Sequence, residues 1–447
     1  MIKSVLIANR GEIAIRIART ARRMGIKTYV VRTAKEPEAV YLSAADAVIN
    51  FPETDGNIPE FLDIDRLVGL AREYKIDSLH PGYGYLSENA ELAERCRDNG
   101  IVFIGPSPEV IRLMGDKVAA KGIAAQSGVP MLGASQGAVH TLDEARKIAK
   151  RLGYPVIIKA VSGGGGRGMR IVHHQDELEQ LYKIATAEAQ VAFNDPSVFI
   201  EKYLENPKHI EFQIVADNYG NVVHLGEREC SIQRKHQKLM EEAPSPALDE
   251  RLRKKMAAAA VSLAKQAGYQ SLGTVEFLLD HQKHFYFMEM NTRIQVEHPV
   301  TEWVTGVDLV QTQLLVAQGK PLPFTQEDIQ VRGHAIECRI NAENPELNFR
   351  PSCGRVTLLH VPGGPWVRFD TALYQDYFVP PYYDSMIGKL IVFAKTREEA
   401  IRKIQAALCE LVIEGVDHNS ELHMELLNDP EFKSGDYYTD FMAKRSR

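Results

Sequence analysis

Short apolar runs alternate with amphipathic stretches in the first hundred residues of the chain. An apolar run at residues 4–8 predicts a buried strand, and apolar side chains at helical spacing over residues 12–24 predict a helix. A second apolar run follows at residues 27–31, and this rhythm of strand, helix and strand continues to about Pro106. The pattern predicts a parallel α/β sheet. Because the first turn, residues 8–12, lacks the G-x-G-x-x-G sequence, we give little weight to a dinucleotide site.

A different hydrophobic pattern predicts a β-hairpin near residue 280. Residues 274–279 and 285–290 are apolar and aromatic runs, and the polar residues 281–284 separate them. If the loop consists of those four residues, Asp280 pairs with Phe285. A loop one residue shorter or longer would turn the side chains of one strand to the opposite face of the sheet.

The register of this hairpin places several polar residues on one face. Glu276 lies directly opposite Glu289, and Asn291 shares their face, as does Arg293 if the strand continues. Facing carboxylates destabilise a sheet, so we expect a cation between them. Carboxylate and amide oxygens suit a hard cation such as Mg²⁺, with nucleotide phosphate and water completing its shell. The alternative is that both glutamates point to solvent from an exposed face.

A glycine-rich segment follows a predicted strand that ends in Lys159. This segment, residues 163–170 with the sequence GGGGRGMR, can lay its backbone N–H groups on phosphate oxygens. It is not a P-loop, because no Gly-Lys-Ser/Thr follows. We predict a mobile hairpin that covers phosphates, with a flexible linker as the alternative. Residues 197–204 predict a strand leading into a hinge, a geometry that presents backbone groups to an adenine.

Three further segments carry predictions of helix and strand. A single helix is predicted over residues 111–126, and strict alternation over residues 209–215 predicts a half-buried strand. Residues 227–238 are densely basic at their end, which is typical of a solvated face. Beside an anion site, the same residues would instead donate hydrogen bonds to phosphate and small oxyanions.

A Gly/Pro-rich loop and a charged strand are candidates for ligand contact. Residues 80–89, HPGYGYLSEN, form a rigid loop of the kind that often holds ligands at strand ends, and a plain structural turn is an equal alternative. Residues 333–341 alternate, which places Glu337 and Arg339 on one face of a strand. One interpretation is that Arg339 simply pairs with Glu337, two residues away.

The composition is that of an ordinary globular chain. Its 447 residues suggest about three domains, and 45% hydrophobic and 25% charged residues supply an ample core. A net charge of -6 and a pI near 6.2 argue against nucleic-acid binding through a broad basic surface. No run approaches the roughly 18 apolar residues of a membrane span. Five scattered cysteines without a C-x-x-C pair argue against a disulfide framework or zinc site and favour a reducing, cytoplasmic location: Cys96, Cys230, Cys338, Cys353 and Cys409.

Seven motifs, in order along essentially the whole chain, resemble those of biotin carboxylase, the ATP-grasp component of biotin-dependent carboxylases. They are MGDK (114–117), GGGGRGMR (163–170), EKYLENPKHIE (201–211), HQK (236–238), EMNTRIQVEHPVTE (289–302), GHAIECRINAE (333–343) and PPYYDSMIGKL (380–390). The resemblance implies an α/β and α+β architecture. An ATP-grasp fold would follow a Rossmann-like parallel N-terminal domain and precede a C-terminal mixed-sheet domain. The implied domains are residues 1–115, 116–330 with a mobile glycine-rich lid at about 131–203, and 331–447.

The resemblance also implies roles for individual residues. The implied ATP contacts are Lys117, Lys159, Gly165, Gly166, Glu201, Lys202, Tyr203, Leu204, His209, Gln233, His236, Glu276 and Glu289. The implied metal ligands are Glu276, Glu289 and Asn291. The implied bicarbonate contacts are Lys238, Arg293, Gln295 and Val296, with Glu297 as the base. Tyr83 and Arg339 would lie near the biotin ureido ring, and the implied catalytic set is Lys238, Arg293, Glu297 and Arg339.

The implied reaction begins with attack of bicarbonate on the γ-phosphate of ATP, bound with Mg²⁺ or Mn²⁺. The product, carboxyphosphate, releases CO₂ and phosphate, the phosphate removes the ureido proton, and biotin N1 is carboxylated. A free glutamate with a pKa of about 4.3 is a poor base toward bicarbonate, so we expect burial or neighbours to tune Glu297. Closure of the glycine-rich flap would keep water away from carboxyphosphate.

Partners are implied by the same resemblance. The chain reaches Arg447 without a biotin-accepting A-M-K-M motif, so we expect biotin on a separate biotin carboxyl carrier protein. A carboxyltransferase would pass the carboxyl group to acetyl-CoA, as in fatty acid biosynthesis, or to another acyl-CoA or 2-oxoacid. A homodimer is expected, but Cys353 and Pro365-Trp366 depart from the family's usual pattern, and the latter segment often contributes to dimer contacts. Other hypotheses are an ATP-grasp ligase for a different carboxylate, or a silent nucleotide-binding subunit, which would be expected to have lost one of these acidic residues.

Overall fold

The fold was analysed in a computed structural model that describes residues 2–36, 38–51, 59–161, 169–193 and 195–445. Residues 163–168 of the predicted phosphate-covering hairpin, with Gly165 and Gly166, lie outside the described residues. None of the helices in these ranges is long and apolar enough to cross a membrane. Short 3₁₀ turns, which play no part in the site, occupy Glu60–Leu62, Gln175–Glu177, Gln326–Asp328 and Pro345–Leu347.

The N-terminal residues form the predicted parallel sheet. Its strands are β1 (Ser4–Ile7), β2 (Lys27–Arg32), β3 (Ala47–Asn50), β4 (Ser78–His80) and β5 (Val102–Phe103). The helices here are α1 (Gly11–Arg23), α2 (Val40–Ala44), α3 (Ile64–Glu73), α4 (Ala90–Asp98) and α5 (Pro108–Gly115). The strands lie in the order β3-β2-β1-β4-β5, and neighbouring strands are parallel. β1 is buried throughout because Val5 and Ile7 pack with α1 on one face while Leu6 packs with α3 and α4 on the other.

The prediction of a single helix over residues 111–126 is wrong, because the helix is interrupted at Asp116. There α5 ends and α6 (Lys117–Gln126) begins. The Asp116 carboxylate accepts hydrogen bonds from the backbone N–H groups of Val118 and Ala119 at 2.9 and 2.8 Å. A capping aspartate satisfies N–H groups that a helix start leaves unpaired, so Asp116 starts a new helix and orients Lys117.

A small unit follows, built around a short antiparallel sheet in the region predicted as the lid, and we keep that name for it. Its elements are α7 (Leu142–Leu152), β6 (Val156–Ala160), β7 (Arg170–Val172), α8 (Leu178–Phe193) and β8 (Val198–Lys202). The strand order is β7-β6-β8, and both helices pack apolar side chains against this sheet. The strands predicted to end at Lys159 and to lie within residues 197–204 are confirmed as β6 and β8. The structure adds that these two strands are neighbours, with Lys159 paired with Phe199.

A long antiparallel sheet carries the centre of the molecule. Its elements from the middle of the chain are β9 (Lys208–Ala216), β10 (Val222–Arg234), β11 (Gln237–Ala243), α9 (Glu250–Gln266), β12 (Ser271–Leu279), β13 (Phe285–Asn291), α10 (His298–Thr305) and α11 (Leu309–Ala317). β9 is buried along its whole length, so the half-buried prediction for residues 209–215 is wrong. The alternation itself is present: Ile210, Phe212 and Ile214 enter the apolar core, and the polar residues between them face buried polar groups instead of solvent.

The hairpin at residues 271–291 reaches the predicted glutamate pairing by a different register. The loop is one residue shorter than predicted, because Asp280 and His284 close it with a backbone hydrogen bond of 2.9 Å. Leu279, not Asp280, pairs with Phe285. A register shift between Glu276 and Phe277 makes Met288 an extra residue, which restores the pairing of Glu276 with Glu289.

The C-terminal residues extend the same sheet. Their elements are β14 (His334–Asn341), β15 (Glu343–Asn344), β16 (Arg350–Pro351), β17 (Gly354–Arg355), β18 (Leu358–His360), β19 (Val367–Thr371), β20 (Phe378–Val379), β21 (Met386–Ala394), α12 (Arg397–Glu410), β22 (Val412–Glu414), α13 (Ser420–Asn428) and α14 (Pro430–Ser434). The sheet order is β13-β12-β9-β10-β11-β14-β21-β19. Because β14 pairs with β11, one sheet crosses the boundary predicted at residue 330.

Candidate active site

One cavity of about 1120 Å³ opens where the N-terminal sheet, the lid and the central sheet meet. Most of the residues singled out in the sequence line it: Tyr83, Lys117, Lys159, Glu201, His209, Gln233, His236, Lys238, Glu276, Glu289, Asn291, Arg293, Gln295, Val296, Glu297 and Arg339. Lys202, Tyr203 and Leu204 are absent from this lining among the described residues. The Lys202 ammonium donates instead to the carbonyl oxygens of Gly153 and Tyr154, at 3.1 and 2.9 Å.

A single ammonium group forms the centre of the cavity floor. Lys238, on β11, donates to Glu211 Oε2 at 2.5 Å, to Glu297 Oε1 at 2.6 Å and to Glu276 Oε1 at 3.2 Å. All three carboxylates are buried, and side chains from three separate segments therefore share one cation. Burial alone would lower the pKa of Lys238, but these negative charges raise that pKa well above its usual value.

Arg228 holds part of this group from below and is fully buried. Its guanidinium donates to Glu211 Oε1 at 2.5 Å, to Gln213 Oε1 at 2.8 Å and to Gln295 Oε1 at 2.6 Å. The guanidinium is a rigid fork, so it fixes the positions of both Glu211 and Gln295. Residues 227–232 on β10 are buried and so depart from the solvated face typical of such a run, whereas residues 235–237 at its basic end are exposed.

Glu297 lies between two cations. The guanidinium of Arg339 donates to Glu297 Oε2 at 2.8 Å and to Glu241 Oε1 at 2.6 Å, while Lys238 holds the other oxygen of Glu297. The interpretation that Arg339 pairs with Glu337 is therefore wrong, because its guanidinium turns toward the cavity and donates to Glu241 and Glu297 instead. Burial opposes ionisation of Glu297, but Lys238 and Arg339 outweigh it and hold its pKa well below the usual range.

Lys238 and Arg339 therefore lower the proton affinity of Glu297. The carboxylate is ionised at neutral pH and ready to accept a proton, which is the state that a general base requires. Its low pKa, however, makes it a weak proton acceptor while Lys238 and Arg339 both contact it. The nearby Glu241 differs: burial, which its contact with Arg339 only partly offsets, raises its pKa to about 7.

The facing glutamates of the hairpin have unequal surroundings. Glu276 accepts from the side-chain amides of Asn291 and Gln295, each at 2.8 Å, and His209 Nε2 lies 2.9 Å from its Oε2. Burial is outweighed by Lys238 and His209, so the pKa of Glu276 falls well below its usual value. Glu289 opens toward the cavity, and burial within the cleft together with the charge of Glu276 raises its pKa.

This donor set fits a divalent cation. After burial, repulsion from Glu276 is the next cause of the raised pKa of Glu289, and a cation between the two carboxylates would relieve that repulsion. With the amide oxygen of Asn291, the site offers the hard oxygen ligands that Mg²⁺ or Mn²⁺ prefers. Ligand atoms of His209, Glu211 and Glu276 also come within 4.8 Å of one another, but the Lys238 ammonium already contacts two of these three residues.

Arg293 lies beside the hairpin rather than in its strand, because β13 ends at Asn291. Its guanidinium donates to Asn291 Oδ1 at 3.1 Å and to Glu88 Oε2 at 3.0 Å. Glu88 comes from the loop at residues 80–89, so this pair ties that loop to the hairpin. No sequence pattern indicates a role for Glu88, since a glutamate at the end of a loop is most often solvated.

Lysines collect at the lid end of the cavity. Lys159 donates to Glu201 Oε2 at 2.5 Å, and Lys121, on α6, contacts the other oxygen of the same carboxylate. Burial and the charges of neighbouring lysines lower the pKa of Lys159 to about 8 and that of Lys121 to about 7, despite this contact. Lys117 has a lowered pKa for the same first reason, burial. Lys121 could be found from the sequence only by its position one helical turn after Lys117.

Tyr83 faces the opposite end of the cavity, on a loop that is clamped in place. Asn9 Nδ2 donates to the carbonyl oxygens of Pro81 and Tyr83, at 2.8 Å each, and the N–H of Gly82 donates to His80 Nδ1 at 3.0 Å. The Tyr83 hydroxyl donates to a carboxylate oxygen of Glu12. The ligand-holding interpretation of residues 80–89 thus agrees with the place of this loop at the cavity.

Comparison with known proteins agrees with the resemblance to biotin carboxylase along almost the whole chain. Residues 1–111 match the model of the biotin carboxylase N-terminal domain, residues 116–325 that of the carbamoyl-phosphate synthase L chain ATP binding domain, and residues 337–444 that of the biotin carboxylase C-terminal domain. The chain is 52% identical to a biotin carboxylase of Nostoc sp., over 99% of each protein.

Two solved structures are similar over nearly the full length. A biotin carboxylase complex from Campylobacter jejuni has a TM-score of 0.96 at 47% identity and covers 99% of each chain. The biotin carboxylase domain dimer of Hydrogenobacter thermophilus 2-oxoglutarate carboxylase, in complex with MgADP, ADP and bicarbonate, has a TM-score of 0.95 at 46% identity. That match covers 100% of this chain and 98% of the other. With the fold, the cavity and the matched segments in agreement, the chain belongs to the biotin carboxylase family.

Proposed function

We propose that this protein is an ATP-dependent ligase that carboxylates biotin with bicarbonate. The observation that carries the proposal is the position of Glu297, an ionised carboxylate held between Lys238 and Arg339. This group lies in the same cavity as the lysines of the lid end and the facing glutamates of the hairpin. A base, two oxyanion-binding cations and a phosphate-binding region are the groups that activation of bicarbonate by ATP requires.

Binding of bicarbonate would raise the low pKa of Glu297 and so make this carboxylate a better proton acceptor. The anion is proposed to bind to Lys238, Arg293 and the 295–296 segment. Its negative charge would weaken the hold of Lys238 on Glu297, so the pKa of Glu297 would rise as the substrate arrives. Glu297 then takes the bicarbonate proton, and the carbonate oxygen forms a bond to the γ-phosphorus as ADP leaves.

The second half of the reaction takes place at the Tyr83 end of the cavity. Carboxyphosphate breaks its C–O bond to release CO₂ and phosphate, and the phosphate accepts the proton of biotin N1. The N1 electron pair then forms a bond to CO₂. We assign to Arg339 the role of stabilising the negative charge that develops on the ureido oxygen, because a largely buried guanidinium is an effective oxyanion donor.

The lysines and the hairpin would hold the nucleotide. Lys117 and Lys159 are proposed to contact its phosphates, and Lys159 would leave Glu201 to do so. A divalent cation held by Glu276, Glu289 and Asn291 would neutralise phosphate charge during transfer. Roles for His209, Gln233 and His236 stay predictions that their place in the cavity lining supports.

The biotin is proposed to arrive on a biotin carboxyl carrier protein, with a carboxyltransferase taking the product. The final acceptor, whether acetyl-CoA, another acyl-CoA or a 2-oxoacid, depends on that partner. A homodimer is also proposed: Trp366 is 62% exposed in an aromatic cluster with Trp303 and Phe393, and the Hydrogenobacter thermophilus domain is a dimer. The cytoplasmic location and the domain limits 1–115, 116–330 and 331–447 stay predictions.

The test measures ADP release from MgATP with and without bicarbonate, and with and without free biotin. The proposal expects release that needs bicarbonate and that biotin stimulates. Glu297→Gln should abolish most of it, while Glu250→Gln, the same change at a side chain that is 70% exposed on α9, should not. Bicarbonate-dependent turnover that biotin leaves unchanged, in folded protein, would instead identify an ATP-grasp ligase with another acceptor.

A further inference from the structure

A buried lysine lies just beneath the cavity and contacts residues in two separate parts of the cavity lining. Lys389, on β21, is 0% exposed, and its ammonium donates to the carbonyl oxygen of Val296 at 2.5 Å. The same ammonium lies 3.2 Å from Glu12 Oε1 and 5.9 Å from the centre of the Tyr83 ring. Val296, Glu12 and Tyr83 line the cavity, whereas Lys389 itself is not part of the lining.

The two contacts of Lys389 lead to different parts of the reaction centre. The carbonyl of Val296 belongs to the peptide bond that precedes Glu297, so its hydrogen bond fixes the backbone from which the base projects. Glu12, on α1, accepts the hydroxyl of Tyr83 on the same oxygen that faces Lys389. One ammonium on β21 therefore connects helix α1, the segment after the hairpin and the C-terminal strands.

The nearby acidic groups do not draw the ammonium away from these partners. Asp370 has its own partner, since Arg368 donates to both of its oxygens at 2.6 and 2.8 Å. Both carboxylate oxygens of Glu337 are buried and, within the described chain, make no hydrogen bond. Burial raises the pKa of Glu337 well above its usual value, which opposes the negative charge that would attract the ammonium.

We propose that Lys389 is a positioning residue that sets the Glu297 backbone and the Tyr83 hydroxyl in a fixed relation to each other. The inference rests on the proposed function, because it gives Glu297 the bicarbonate end and Tyr83 the biotin end. Loss of the ammonium frees the Val296 peptide and, among the residues that the structure describes, leaves Glu12 with Tyr83 as its remaining hydrogen-bond donor. Glu297 at the bicarbonate end and Tyr83 at the biotin end should then be held less firmly, while the lid and the phosphate-binding lysines keep their positions.

The experiment compares Lys389→Met with the parent enzyme in steady-state assays of ADP release. We expect the KM for bicarbonate and the KM for free biotin each to rise about tenfold or more, and the KM for ATP to stay within about twofold. Glu12→Gln should raise the biotin KM alone, because the Val296 contact remains. The double variant should have a biotin KM no higher than that of Lys389→Met, since both changes remove the same connection.

Lys208→Met is the matched control. Lys208 is also a buried lysine that donates to backbone carbonyl oxygens, those of Gly435 at 3.0 Å and Tyr437, but it lies outside the cavity lining. This control should lower the melting temperature and leave all three KM values unchanged.

Three results would overturn the inference: unchanged substrate KM values in folded Lys389→Met, an equal rise of the ATP KM, or the same rises in Lys208→Met. If Lys389→Met does not fold, an unchanged biotin KM in Glu12→Gln overturns it. Failure of the proposed function is separate, because the parent enzyme would then show no stimulation by biotin.

Discussion

Removal of the Lys238 charge gives the sharpest test of the cavity floor. In Lys238→Met the side-chain length is nearly kept, but the buried carboxylates of Glu211, Glu276 and Glu297 lose the cation that contacts them at 2.5 to 3.2 Å. Two charges about 4 Å apart interact by about 4 kcal/mol at an effective dielectric constant of about 20, and desolvation offsets much of this. Breaking a buried ion pair by removing one partner costs about 3–5 kcal/mol.

The cost should depend on pH in a defined direction. In the parent, the pKa values of Glu276 and Glu297 are depressed, so their contribution to stability is present above pH 4.5 or so and is lost only as pH falls further. Without Lys238, burial would raise at least one of these pKa values above that of the unfolded chain. The folded variant would then bind more protons than the unfolded chain, and its stability would fall as pH rises.

The assay is thermal unfolding of the parent and Lys238→Met at pH 5.5 and pH 8. We expect the melting temperature of the variant to drop by about 3–5 °C at pH 8, and by clearly less at pH 5.5. Lys254→Met is the control, because Lys254 pairs with Glu250 at the surface of α9, where an ion pair contributes little. An equal drop at both pH values would show that the carboxylates do not take up a proton, and would refute the shared-cation account.

Four shorter predictions concern catalysis and binding. Glu297→Gln should lower bicarbonate-dependent turnover by about 10²–10⁴-fold while the Kd for MgADP, from calorimetry, stays within about twofold; equal loss of both contradicts the assigned role. Glu289→Gln should raise the Mg²⁺ concentration for half-maximal turnover about tenfold or more, and an unchanged Mg²⁺ titration would exclude it as a ligand. Because the pKa of Lys159 is about 8, the Kd for MgADP should weaken by about tenfold between pH 7 and 9, and a flat profile would contradict this protonation. In Gly82→Ala, the new Cβ would lie 2.8 Å from Asn9 Nδ2 at a φ of +66°, so the biotin KM should rise several-fold with no change in the Kd for MgADP.

The hairpin shows how far sequence patterning can lead. Facing Glu276 and Glu289 were predicted from two apolar runs and a four-residue loop, and the structure has the pairing. It arises, however, from a three-residue loop and a compensating bulge at Met288. Two deviations of one residue cancel, and no hydrophobic pattern distinguishes that outcome from a regular ladder, because Met288 fits either arrangement.

Buried charge was the main feature that the sequence could not resolve. Glu211 lies in a strand whose polar positions alternate as they would on a solvated surface, and Arg228 lies in a run of three charged residues, yet both side chains are fully buried. Only the packing of residues distant in sequence, such as Gln295 against Arg228, turns that surface inward. The family resemblance supplied Lys238 and Glu297 but not the pairs that support them, because those pairs depend on which strands become neighbours.

The continuous central sheet also limits how the chain can be made and divided. The edge of β11 finds its partner in β14, where Met240 pairs with Cys338, about 100 residues later in the sequence. During synthesis the edge of β11 stays unpaired until the ribosome has made β14. Until then, the N–H and C=O groups of β11 are open to other chains. A gene fragment that ends near residue 330 would leave that edge permanently open, so it should yield insoluble protein even though it encodes every acidic residue of the hairpin.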